Sequence, residues 1–143
     1  MSKSLATKLC ERELITVNEN DQLLEAIKKL VQYNIGAVPV INNEKLLIGI
    51  LSERDIVKEL AKNKNIDYSI LLVNKLMTKE VICCKKDVLS DKLMELMTQN
   101  KIRHIPIVEN AIPIGIVSIG DVVNRLMEKV EYENQMLRDF VSG

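Results

Sequence analysis

The chain is written twice. Gly36-Ala37-Val38-Pro39-Val40-Ile41 aligns with Arg103-His104-Ile105-Pro106-Ile107-Val108, and the two prolines stand 67 positions apart. Gly49-Ile50-Leu51-Ser52-Glu53-Arg54-Asp55-Ile56-Val57 aligns with Gly115-Ile116-Val117-Ser118-Ile119-Gly120-Asp121-Val122-Val123 at a spacing of 66. One residue has therefore been lost between proline and glycine in the second copy. The loss falls in a polar stretch, Asn42-Asn43-Glu44-Lys45 against Glu109-Asn110-Ala111, where a hairpin changes length at small entropic cost. A repeat this clear constrains the fold more than any single motif, because whatever one copy forms the other must form too.

Each copy reads as strand, helix, strand, turn, strand, helix. Asn20 and Asp87, 67 apart, each stand as a candidate N-cap. Leu23, Ala26, Ile27, Leu30 and Val31 follow the first at helical spacing, and Leu89, Leu93, Met94, Leu96 and Met97 follow the second. In copy one the spacing predicts a short strand at Ile15-Thr16-Val17 and a helix from about Asp21 to Tyr33. Strands follow at Val38 to Ile41 and Leu46 to Leu51, then a helix after Ser52 through Ile56, Val57 and Leu60. Proline at the start of a strand is allowed because that position need not donate to the ladder. Asn63-Lys64-Asn65 reads as the linker. Strands this short cannot stand alone, so the two copies are expected to pack sheet against sheet as one α+β unit. The repeats fall at residues 8–64 and 75–128.

An extension at residues 129–143 has no counterpart in copy one. Val122, Val123, Leu126, Met127 and Val130, then Met136, Leu137 and Phe140, carry a helix beyond the repeat, across the polar Glu131-Tyr132-Glu133-Asn134-Gln135. A projecting helix with apolar residues at its end docks on something. Its own body, a second copy in a homodimer and a different protein are the three candidates.

Composition narrows the function classes. Apolar residues make up 47% of the 143, which rules out disorder. Aromatics are 3% with no Trp, too few for a base- or sugar-stacking platform, and 20 basic against 20 acidic residues leave no surplus for nucleic acid. The start has no apolar run suited to a secretory signal, and no stretch approaches the roughly 18 apolar residues of a membrane span. Cys10, Cys83 and Cys84 are odd in number, and the adjacent pair points to opposite faces of a strand. Neither a disulfide framework nor a metal site is expected, and the thiols read as those of a cytoplasmic protein.

Ser52-x-x-Asp55 and Ser118-x-x-Asp121 each sit at a strand-to-helix junction. One reading is a capping box, which satisfies free helix N–H groups with no ligand. The other is a phosphate at the helix N-terminus with the carboxylate taking ribose hydroxyls. Arg54 supports the second, since a cation in the first turn opposes the helix dipole unless an anion arrives. Copy two has Gly120 there, but carries Arg103 and His104 where copy one has Gly36 and Ala37.

Taken together, these motifs resemble a pair of CBS domains, also called a Bateman module, over residues 8 to 128. Met77-Thr78 is similar to the pair that often opens such a domain, where copy one has Cys10-Glu11. The resemblance, to short stand-alone bacterial-type CBS proteins, implies two βαββα repeats about a pseudo-twofold axis, with clefts between them for AMP, ADP, ATP, NAD or S-adenosylmethionine. It implies that Asp55 and Asp121 hold ribose hydroxyls and that Ser52 and Ser118 contact phosphate or ribose. Val38-Pro39 and Ile105-Pro106 would line adenine pockets, with opening strands at Thr16-Val17 and Val81-Ile82. Arg54, Arg103 and His104 would face phosphate, and their uneven distribution implies unequal clefts.

Two other classes compete with a nucleotide sensor. An enzyme would have to pair His104, the sole histidine, with Cys83 or Cys84, but no orienting group or oxyanion motif accompanies them. A ligand-free interaction module would work through the C-terminal helix alone.

Overall fold

The computed structural model describes residues 3–142; Met1, Ser2 and Gly143, the last residue of the expected extension, lie outside the described residues. A short helix α1 (Leu5–Leu9) leads into β1 (Val17–Asn18), α2 (Leu23–Gln32), β2 (Ala37–Ile41), β3 (Leu47–Ser52) and α3 (Glu53–Lys62). A 3₁₀ turn at Val73–Lys75 precedes α4 (Ser90–Asn100), β4 (His104–Glu109), β5 (Ile112–Ser118) and α5 (Ile119–Ser142). β1 runs parallel to β2, and β2 pairs antiparallel with β3, Val38 opposite Leu51. β4 and β5 repeat that hairpin with Ile105 opposite Val117. Irregularities fall at Val40/Ile41 and Ile107/Val108, again 67 apart, so the copies share even their bulges.

The second copy departs from the expected plan at its first strand. Val81-Ile82 forms none, and pairing shrinks to one parallel bridge between Cys84 and Ile107. Two hydrogen bonds hold it, Cys84 N to Pro106 O at 2.9 Å and Val108 N to Cys84 O at 2.9 Å. Val17 bridges Val40 in the same relation, so Cys84 is the register partner of Val17. The residues equivalent to Val81-Ile82 are thus Leu14-Ile15, two positions before the expected Thr16-Val17.

Neither Asn20 nor Asp87 caps a helix. The N-cap positions are Gln22 and Leu89, without side-chain cap bonds. The start of α2 is satisfied by backbone from downstream chain, Leu23 N donating to Leu71 O at 2.7 Å and Leu24 N to Tyr68 O at 2.9 Å. Carbonyls brought in by tertiary structure do what a capping side chain does elsewhere.

The buried residues form two clusters, not one shared core. Val17, Leu23, Ala26, Leu30, Val38, Val40, Leu51 and Val73 make the first. Cys84, Leu93, Met97, Ile105, Ile107, Val117 and Val122 make the second, together with Leu5, Ala6 and Leu9 of α1. Each repeat thus borrows the segment that precedes the other. Tyr68, Leu71, Leu76 and Met77 pack on the first core, while α1 completes the second. This reciprocal exchange, absent from the sequence reading, holds the two βαββα repeats together about their pseudo-twofold axis. Met77-Thr78 is clamped on β3 by Ile50 N to Thr78 O at 3.0 Å and Thr78 N to Ile50 O at 2.8 Å. Cys10 lies in the matching place against Gly115.

α5 is one continuous helix of 24 residues, and from Met127 onward every described side chain is exposed. It does not fold back. Among the described residues, no helix is long and apolar enough to cross a membrane.

Candidate functional site

Both Ser-x-x-Asp motifs form full capping boxes. Asp55 N donates to Ser52 Oγ at 3.3 Å, and Asp55 Oδ2 accepts from Ser52 N at 2.9 Å and from its hydroxyl at 3.1 Å. Asp121 Oδ2 accepts from Ser118 N at 3.0 Å and its hydroxyl at 2.9 Å, with Asp121 N returning to Ser118 Oγ at 3.2 Å. The local bonds occupy one carboxylate oxygen and leave Oδ1 turned outward. Thr78 donates to Asp55 Oδ1 at 3.2 Å, whereas Asp121 Oδ1 meets the Arg12 guanidinium at 3.2 Å. The capping and ligand readings are therefore not exclusive: one oxygen caps and the other is presented.

A cleft of about 850 Å³ opens beside Asp55, within the range of roughly 300–1,000 Å³ usual for small-molecule sites. It gathers Ser52, Arg54, Asp55, Val81, Ile82, Arg103 and His104 from both repeats. Gly36, Ala37, Thr78, Glu80, Lys58 and Lys101 also line it and were not anticipated as site residues. Lys58 stands one helical turn beyond Arg54, a spacing readable in sequence. Lys101 ends α4 in the left-handed region at φ 53°, which no motif announced.

Eight anticipated residues do not line this cleft. Val17, Val38 and Ile105 are at most 1% exposed, their side chains packed inside the two cores. Pro39 and Pro106 are also buried. Thr16 uses its carbonyl to accept from Lys29 Nζ at 2.8 Å. Ser118 and Asp121 occupy the pseudosymmetric position, at the start of α5.

Charge at the cleft is mixed, with Arg54, Lys58, Lys101 and Arg103 against Glu53, Asp55 and Glu80. His104 rests on Gly36 across the repeat boundary, so closely that a Cβ on that glycine would lie 3.1 Å from Cε1. Burial pushes the imidazole pKa below its ordinary value; Glu53 and Asp121 pull it up and Arg103 adds to the depression. Cys84 is buried and its thiol is pushed up to about 12, chiefly by burial. A thiol that seldom ionises is not poised as a nucleophile.

The CBS domain family model matches residues 6–62 and 73–128. An inosine-5′-monophosphate dehydrogenase of Methanocaldococcus jannaschii is 36% identical over 122 residues, 84% of this chain but 23% of that enzyme. The chain thus spans under a quarter of that relative's length. A CBS-domain protein, ATU1752 of Agrobacterium tumefaciens, is 36% identical with a TM-score of 0.77, covering 87% of this chain and 93% of that one. The CBS domain pair of protein MJ0100, solved with 5′-methylthioadenosine and S-adenosyl-L-methionine, is 28% identical with a TM-score of 0.78, covering 90% of this chain and 99% of that one. This chain belongs to the CBS-domain family and carries two CBS domains.

Proposed function

We propose that the protein is a non-catalytic regulatory module that binds an adenine nucleotide in the cleft beside Asp55. The observation carrying this is the outward Oδ1 of Asp55 at one side of an 850 Å³ cleft that also holds Arg54, Lys58, Arg103 and His104. Oδ1 would exchange its Thr78 bond for ribose hydroxyls. The N-terminus of α3 with Arg54 would face phosphate, and Val81 and Ile82 offer apolar surface to the base. The adenosine ligands of the MJ0100 pair support an adenine-bearing ligand. AMP is the first candidate, with ADP, ATP, NAD and S-adenosylmethionine as the others. The free cysteines Cys10, Cys83 and Cys84 fit a cytoplasmic setting.

Ligand held between the repeats favours one relative orientation of them, and α5 passes that orientation to a homodimer mate or another protein. A ligand-free interaction module is the second reading, favoured by capping boxes already satisfied without ligand. Thermal unfolding decides between them. A ligand that binds only the folded state at a hundredfold its Kd adds about 2.7 kcal/mol. The proposal expects a clear rise in Tm with at least one of the five compounds, and no rise with any of them favours the second reading.

A further inference from the structure

α5 leaves the body of the protein with an apolar seam that nothing among the described residues covers. Val123, Met127, Val130, Leu137 and Val141 are 43%, 55%, 50%, 63% and 78% exposed. With Asn134 they fall at steps of four, three, four, three and four, the a/d spacing of a two-stranded coiled coil. Val123, Val130 and Leu137 take d, and Met127, Asn134 and Val141 take a. The seam is rotated away from Val122, which is fully buried against the protein's own body. Anchored there, the first turns of α5 are already helical, so the seam need not nucleate its own helix.

Two features identify the occupant as a second α5 in parallel. A lone Asn at an a position is a register and dimer-specifying device, because in a parallel pair it meets its own copy, whereas in an antiparallel pair it faces apolar d residues unpaired. Glu133 at g and Arg138 at e lie five positions apart, the separation at which g of one helix meets e of the other in a parallel pair. Neither is in an ion pair among the described residues. An antiparallel pair would set like charges together.

We propose that the protein dimerises through a short parallel coiled coil of α5, Asn134 facing Asn134. This rests on the reading above that α5 is the output element. It would set the two nucleotide-binding bodies side by side at the same end of the shared stalk.

Light scattering of the full chain should give twice the chain mass, and Leu137→Glu, at an exposed position that leaves the body intact, should give a monomer with its nucleotide-induced Tm shift unchanged. Glu133→Arg should weaken the dimer about tenfold, with Arg138→Glu added to it restoring the original constant. Oxidised Leu137→Cys should yield a covalent dimer that the unmodified chain, with its exposed Cys83, does not. A monomeric unmodified protein overturns the proposal together with the homodimer reading. A dimer that survives Leu137→Glu, or a charge swap without rescue, overturns the coiled coil and leaves dimerisation through another face. Loss of nucleotide binding alone in any variant contradicts the separation of stalk from cleft.

Discussion

Thr78, which opens the second repeat, donates its hydroxyl to Asp55 of the first at 3.2 Å. The pseudosymmetric carboxylate, Asp121, is met by a guanidinium instead, that of Arg12. A hydroxyl and a ribose are similar partners for a carboxylate, so under the proposed function Thr78 would give way to ligand or stay beside it. Arg12 neutralises the charge of Asp121 and, being largely exposed, forms a pair worth little in stability; under the proposed function it stands where a second ligand would bind. The two halves present unequal carboxylates.

Binding stoichiometry should follow that inequality. Titration is expected to give one site of higher affinity per chain and a second at least tenfold weaker. Gly120→Arg should narrow the gap by supplying the cation that Arg54 gives the first half. Its Cβ would meet only Ser118 Oγ at 3.7 Å, an ordinary contact. Two equal sites in the unmodified protein would contradict the asymmetry.

His104 should couple binding and folding to protons. Its depressed pKa means that the unfolded chain takes up the proton first as pH falls. Its contribution to stability is therefore full above its ordinary value of about 6.5 and declines below it. Tm measured from pH 8 to pH 5 should fall less steeply at the acid end for His104→Gln. An anionic phosphate nearby raises the imidazole pKa, so nucleotide binding near pH 6 should take up protons. Calorimetry in buffers of differing ionisation enthalpy reads that uptake, and His104→Gln should abolish it.

The three thiols should react in order of exposure. Cys83 is exposed, Cys10 is half-buried with its pKa raised mainly by burial, and Cys84 is buried with its thiol pushed up to about 12. Brief maleimide labelling of the folded protein, mapped by mass spectrometry, should mark Cys83 first and leave Cys84 until denaturant is added. Early labelling of Cys84 would mean that the bridge to Ile107 opens readily.

Ala111 is a local cost in the fold. Asn110 and Ala111 form the β4–β5 turn with φ of 52° and 65°, a left-handed pair suited to a two-residue hairpin. Asparagine tolerates that region and alanine does not. Ala111→Gly should stabilise by about 1 kcal/mol in chemical denaturation, since the relieved backbone strain outweighs the added freedom of the unfolded chain. The Ala111 carbonyl that accepts from Leu47 N at 2.8 Å is unaffected.

Much of this architecture is legible in the residues because it rests on local periodicity and on repetition. The strands around Pro39 and Pro106, the helices after Ser52 and Ser118, and the projecting α5 all follow from pattern. What escaped is tertiary. The crossing of α1 onto the second core, and of Tyr68 to Met77 onto the first, depends on which repeat a segment joins, and periodicity carries no such information. The same blindness shifted the opening strand of the second copy. Aligning Thr16-Val17 with Val81-Ile82 missed the true register by two, because only the pairing of Val17 and Cys84 with their neighbouring strands fixes it. Asp55, Ser52, Arg54, Arg103 and His104 were recognisable from charge and position, and the cleft gathers all five.

The central claim, a nucleotide held by Asp55, is tested most directly by calorimetric titration of the unmodified protein and of Asp55→Asn with AMP, ADP, ATP, NAD and S-adenosylmethionine. Asparagine can still accept from Ser52 N and so keeps the helix capped. The account predicts saturable binding of at least one compound, weakened a hundredfold or more in the variant, with little change in the Tm of the free protein. Unaltered affinity in Asp55→Asn, or no binding of any compound to the unmodified chain, would contradict it.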